Sequence, residues 1–206
     1  MSERGILFSA PMVQALLAGT KTQTRRVFRP PAPFVETDEG IFIQVALGNM
    51  KMPYSVGDQL WVREAWRSDI SWDADKPSNL PQGASVRYEA DGMWRWTGCP
   101  GKMRPSLFMP RWASRITLEV TDVRLQRLQD ICEADCIAEG IESVADSFGN
   151  GPAYCDYGLG DINDMAEWYA RPIDSYRSLW VKLHGAPSWI SNPWVVALTF
   201  TVERHP

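Results

Sequence analysis

The stretch "LLAGTKTQTRRVF", residues 16 to 28, sets a lysine, several hydroxyl and amide side chains and two arginines directly after a short apolar run. Lys21, Thr24, Arg25 and Arg26 are its chemically capable groups. A threonine hydroxyl becomes a nucleophile only when a neighbouring base takes its proton. A lysine serves as that base only when burial or nearby positive charge lowers its pKa. Arg25 and Arg26 could supply the charge, or could instead bind a carbonyl oxygen or a phosphate. The same residue types also suit a solvated turn. "GTKTQT" has a superficial likeness to a Walker phosphate loop. It lacks the second glycine before the lysine, and it follows a helix rather than opening one, which excludes a nucleoside triphosphatase.

Carboxylates form the second group of candidates. Glu64 falls in an otherwise apolar strand, on the face of Leu60 and Val62. An inward carboxylate needs a cationic partner, so Glu64 is either half of a buried ion pair or part of a site. Glu139 closes a helix just before Gly140, at the end where the helix dipole disfavours negative charge. "MPRWASR" (109 to 115) carries Arg111 and Arg115 around Trp112. That pattern fits an aromatic anchor with flanking surface charges, or stacking combined with anion recognition.

The elements that must position these groups follow from periodicity. "SAPMVQALLAG" predicts a short helix with Ser9 as cap, Pro11 in its first turn and Gly19 as a left-handed stop. "TRRVF" then becomes extended, and "RPPAP" breaks it. Alternation predicts strands over 40 to 47, 56 to 66, 85 to 91 and 114 to 128, and a last strand in "NPWVVALTFTVE". "DICEADCIAEG" predicts a helix with Asp130 and Glu133 as a capping box and Gly140 as its stop. "DSYRSLWVKLHG" has helical spacing through Tyr176, Leu179, Trp180 and Leu183. Few helices, several strands and no βαβ rhythm predict an α+β protein on a small mixed or closed β-barrel.

Bulk properties narrow the function classes. The chain has 206 residues, 45% of them hydrophobic, and a formal net charge of −4. That charge disfavours a general RNA-coating role, since such affinity comes from neutralising phosphates, but it leaves room for a local basic cleft. No apolar run approaches the roughly 20 residues that a bilayer requires. "MSERGILFSAP" has too short an apolar segment for a signal peptide, so no membrane association and a cytoplasmic location are expected. The four Cys and two His lack paired zinc spacings, so neither a metal site nor a cofactor is expected. Ten Trp provide core packing, or aromatic walls for a base.

Taken together, "ILFSAPMVQALLAGTKTQTRRV", "GDQLWVREAW", "MPRWASRITLEVTDVRLQRLQDI", "AEGI" and "NPWVVALTF" resemble the ASCH-domain family of the PUA-like superfamily. The resemblance is to its longer bacterial and phage-associated members. It runs from about Ile6 to Val202, and its most specific part is Gly19, Lys21, Thr22, Thr24 and Arg26. It implies a single domain over 1–206: a PUA-like small mixed β-barrel with helices covering its mouth and loop insertions at 68–105 and 142–172. It also implies a nucleoside, nucleotide or RNA partner. One small ASCH group removes the acetyl group from N4-acetylcytidine without a metal. By that resemblance Lys21, Thr24 and Glu139 would be catalytic. Arg25, Arg26, Glu64, Trp66, Arg111, Trp112 and Arg115 would line the substrate. Other members are described as ribonucleases or RNA-binding modules, which remain the alternative functions.

Overall fold

The computed structural model describes residues 2–29, 35–36, 42–43, 52–92, 99–144, 151–157 and 168–205. In chain order the elements are β1 (Glu3–Leu7), α1 (Ala10–Ala18), β2 (Gln23–Val27), β3 (Val35–Glu36), β4 (Phe42–Ile43), β5 (Gln59–Arg63), β6 (Trp66–Arg67), β7 (Arg87–Tyr88), β8 (Ile116–Arg127), α2 (Glu133–Ala138), β9 (Ser143–Val144), β10 (Ala153–Tyr154), α3 (Pro172–His184), α4 (Ala186–Ile190) and β11 (Trp194–Arg204). The architecture is mixed α+β. Its five-stranded sheet has the order β1-β5-β8-β11-β2, with β1 parallel to β5 and the other pairs antiparallel.

The expected barrel is not closed. Among the described residues no ladder joins the edge strands β1 and β2. A side chain bridges them instead: Arg26 Nη2, on β2, donates to the Leu7 carbonyl at the end of β1 at 2.8 Å. The inner face of the curled sheet holds Leu60, Val62, Leu118, Val120, Leu198 and Phe200, and α1 fills it with Val13 and Leu16, both wholly buried. Burying a Leu or Val contributes about 1.5–3 kcal/mol, so this plug is a principal anchor of α1.

Strand β8 needs a bulge to serve this core. Thr199 pairs with Asp122 and the next residue, Phe200, with Val120, which leaves Thr121 as the extra residue. Ile116, Leu118 and Val120 face inward before the bulge, and Val123 and Leu125 after it. The apolar pattern changes parity at Thr121, and the bulge restores it to one face. The same shift turns Arg124 to the opposite face.

Several expectations need adjustment. Ser9 is the N-cap residue of α1, but its side chain makes no cap bond. Gly19 is left-handed at φ 78°, as the stop requires. The capping box of α2 does not form: Asp130 lies in a 3-10 turn, and Cys132 is the N-cap. Residues 68–105 contain short 3-10 turns and β7, and Trp66, Leu80, Met109 and Ala113 form a separate apolar cluster beside them. Only Phe42–Ile43 of the strand expected over 40 to 47 is described; the remainder, the break at 30–33, and Trp94 and Trp96 lie outside the described residues. No helix among the described residues is long and apolar enough to cross a membrane.

Candidate functional site

The chain leaves α1 at Gly19, and the Thr20 and Lys21 amides fold back to donate to the Ala15 carbonyl. This turn drives the Lys21 side chain inward, where it is 1% exposed. The C-terminal end of α2 lies directly against it. Gly140 has φ +88°, and a Cβ there would meet Lys21 Cβ at 3.1 Å and Ala15 Cβ at 3.2 Å. Glycine is therefore required at this position twice, by its dihedral and by its neighbours. Thr22 N–H donates to the Ala138 carbonyl at 2.8 Å and locks the two segments together.

Lys21 Nζ donates to two oxygens of one residue: Glu139 Oε2 at 2.8 Å and the Glu139 carbonyl at 2.7 Å. Burial lowers the Lys21 pKa from its ordinary 10.5, against the pull of Glu139, and Arg26 and Arg25 add to the lowering. The other carboxylate oxygen, Glu139 Oε1, accepts from Arg25 Nη1 at 3.0 Å. Arg25 Nη2 reaches Asp135 at 2.6 Å, and Asp135 accepts in turn from Arg124 Nη2 at 3.2 Å. Burial works against charge on Arg25, but Glu139, Tyr176 and Asp135 outweigh it. Asp135 is likewise held below the usual carboxylate range by Arg124 and Arg25, despite its burial.

Sheet and helix periodicity assemble this relay. Arg25 and Arg124 both pair with Ala197 in the ladder, from either side, so two arginines flank a small residue on one face of three adjacent strands. Asp135 and Glu139 stand four apart on α2 and its cap, and so share the helix face that covers them. Three cations thus share two carboxylates. A further carboxylate, Asp122, meets Arg124 only at the solvent end, at 3.2 Å. The shortage of negative charge therefore falls at the buried end, where Lys21 sits.

Thr24, Arg25, Arg26 and Glu139 line an inner hollow of about 30 Å³, whose other wall is α3 with Tyr176, Trp180 and His184. Thr24 is 3% exposed, and its hydroxyl has no hydrogen-bond partner among the described residues, Lys21 included. Arg25 Nε is buried and also unpartnered. Glu139 lines a second, outer hollow of about 230 Å³ as well, between α1, α3 and the 142–172 segment, which contributes Glu142 and Tyr157. None of the described residues within 68–105 contributes to either wall. Sequence reasoning missed Asp135, Arg124, Tyr176 and His184. The rings of Tyr176, Trp180 and His184 recur every fourth residue on α3, a pattern that reads equally as core.

The remaining expected residues lie elsewhere. Glu64 is just beyond β5 and 1% exposed, and it forms the ion pair its burial demands: Arg115 Nε and Nη2 each reach it at 3.0 Å. Burial still pushes its pKa up, against Arg115. Arg115 also reaches Asp91 at 2.9 Å and lies 3.8 Å over the Tyr88 ring, so its guanidinium is already engaged on several sides. Trp66 is 0% exposed, among Leu80, Met109 and Ala113, and offers no face to a base. Trp112 packs against the same cluster. Arg111 is paired with Glu3 on the surface. None of these five lines either hollow at Glu139. Comparison of the chain with protein-family models, with curated proteins and with solved structures finds no match.

Proposed function

We propose that the protein is an amidohydrolase that removes a small acyl group from the exocyclic amine of a nucleoside, N4-acetylcytidine or a close relative. One observation carries this reading: a fully buried lysine, hydrogen-bonded to Glu139 through both Oε2 and the carbonyl, beside a hollow lined by Glu139 and Thr24. A neutral amine has two N–H groups and one lone pair. Glu139 takes both N–H groups, so the lone pair is directed away from it. The lowered Lys21 pKa favours that neutral state.

In the reaction, Thr24 Oγ1 adds to the acyl carbon. Its proton passes to the Lys21 lone pair, which Glu139 holds turned away from itself by accepting both N–H groups. The C–N bond then breaks, its electron pair stays on the departing nitrogen, and the stored proton completes the amine. Water cleaves the resulting threonyl ester by the same route in reverse. The unpartnered Arg25 Nε–H, with Arg26 nearby, is suited to hold the oxyanion. Neither step draws on a metal.

The outer hollow, about 230 Å³, falls below the range of roughly 300–1,000 Å³ usual for drug-sized ligands, which favours a single base or nucleoside over an RNA strand. We also read the curled sheet, sealed by Arg26 at Leu7 and plugged by α1, as an open form of the PUA-like barrel. Four unpaired cysteines accord with a reducing cytoplasm.

The test is release of cytidine from N4-acetylcytidine, followed by chromatography. Lys21→Ala and Thr24→Ala should each lower kcat/KM by about a thousandfold while keeping a cooperative thermal transition. No release, together with RNA affinity that falls steeply with salt, would replace this reading with a binding module. Shortening of labelled RNA would replace it with a ribonuclease.

A further inference from the structure

The two hollows share four wall residues: Met12, Glu139, Leu179 and Leu183. These four side chains form the partition between the hollows, apolar on three sides, with the Glu139 carboxylate on the fourth. A single water needs about 10–15 Å³ of such space. The inner hollow, about 30 Å³, therefore admits roughly two groups of that size. A carbonyl oxygen and one methyl fit; a phenyl ring does not. The back wall is stiff. Tyr176 and Trp180 are each 3% exposed, their ring centroids are 6.2 Å apart, and Trp180 Nε1 donates to Ser188 Oγ at 3.0 Å. Met12 is different: unbranched, half-buried and carried on the outer turn of α1. It is the wall residue that can be shortened without disturbing the aromatic packing.

The outer hollow has the opposite character. It is several times larger, and Pro11, Met12 and Leu179 give it flat apolar sides. Tyr157 Oη accepts from the Glu142 N–H at 3.1 Å, which leaves the tyrosine O–H free to donate into the space. A planar base with an acceptor at its edge matches that wall.

We propose that the inner hollow is an acyl subsite, that the outer hollow takes the departing base, and that Met12 sets the upper limit on acyl length. This rests on the amidohydrolase reading above and adds to it the class of acyl group: formyl and acetyl are accepted, and branched or aromatic acyl groups are refused. The scissile C–N bond lies at the partition beside Glu139, with the carbonyl on the Thr24 side.

The experiment compares N4-acetyl-, N4-butyryl- and N4-benzoylcytidine as substrates of the full chain. Wild type should lose about a hundredfold or more in kcat/KM from acetyl to benzoyl, since each carbon beyond what the hollow holds costs roughly tenfold or more. Met12→Ala should raise the butyryl-to-acetyl ratio about tenfold. Leu183→Ala, at a side chain already 48% exposed, opens the same partition from α3 and should move the ratio in the same direction. The subsite assignment is overturned if wild type hydrolyses benzoyl and acetyl substrates within about threefold of each other. It is equally overturned if both variants leave the ratio unchanged. Release of cytidine without size ranking removes the subsite and keeps the amidohydrolase. No release from any of the three removes the amidohydrolase, and the subsite with it.

Discussion

Replacing Lys21 by methionine tests the state of the buried amine directly. Methionine is similar in length and needs no partners, so the substitution removes two hydrogen bonds, at 2.7 and 2.8 Å to Glu139, and little packing. If the amine is neutral in the folded protein, each bond contributes about 1 kcal/mol, and Lys21→Met should cost about 2 kcal/mol at pH 7. If it is a charged partner of Glu139, the loss should instead reach about 3–5 kcal/mol, because one side of a buried ion pair is removed. The pH dependence separates the two further. Below the folded-state pKa both folded and unfolded chains carry the proton, and the folded protein bears the full cost of a buried ammonium. Between that value and 10.5 the unfolded chain binds a proton that the folded one does not, so stability rises with pH across the window. The variant lacks this titration. Urea unfolding of both proteins from pH 6 to 10.5 should therefore show wild type gaining on Lys21→Met as pH rises. A gap of 3–5 kcal/mol at pH 7 that closes as pH rises would refute a lowered lysine pKa, and with it the lysine as a base.

Two further outcomes follow from the same geometry. Arg115→Ala should destabilise the fold by about 3 kcal/mol in urea unfolding, because Glu64 is left buried without its bidentate partner; a change under 1 kcal/mol would show that Glu64 has another partner. Brief alkylation of the native protein at pH 8, read by mass spectrometry, should label Cys99 and Cys132, which are exposed, before Cys155 and Cys136, which are buried; burial pushes the Cys136 thiol up to about 12.

Much of the scaffold could be read from spacing alone. The apolar alternation of β8 and β11 and the period of α3 are long enough to fix element type, and Ser9 and Gly19 mark the ends of α1. Glu64 was legible as a paired carboxylate, since burial requires a partner, but which arginine it takes is a tertiary fact. The convergence of Lys21 and Glu139 is separated by 118 positions and has no local signature. It entered through a likeness of motifs rather than through periodicity. Asp135 could have been found: two carboxylates four apart on a short helix share a face, and that face needs cations. Arg124 could be placed only in part: the parity change between Val120 and Val123 puts it on the outer face, but which carboxylate it meets there is a tertiary fact. Trp66 was misassigned because an aromatic beside charged residues suits a binding wall and a satellite core equally well.

The extra residue at Thr121 has a consequence for how this chain tolerates change. It divides one long strand into two stretches with opposite facing rules, one stocking the interior and the other presenting Arg124 to α2. Deleting Thr121 would remove the bulge and the parity change together, leaving Val123 and Leu125 inward and Arg124 outward. One residue inserted between Asp122 and Val123, without a second bulge, would instead point Arg124 into oil and turn Val123 and Leu125 toward the carboxylates. Lengthening the loops elsewhere leaves that division intact, so an insertion within this strand should be far less forgivable than one of equal size at either of its ends, whereas loss of Thr121 should be tolerated.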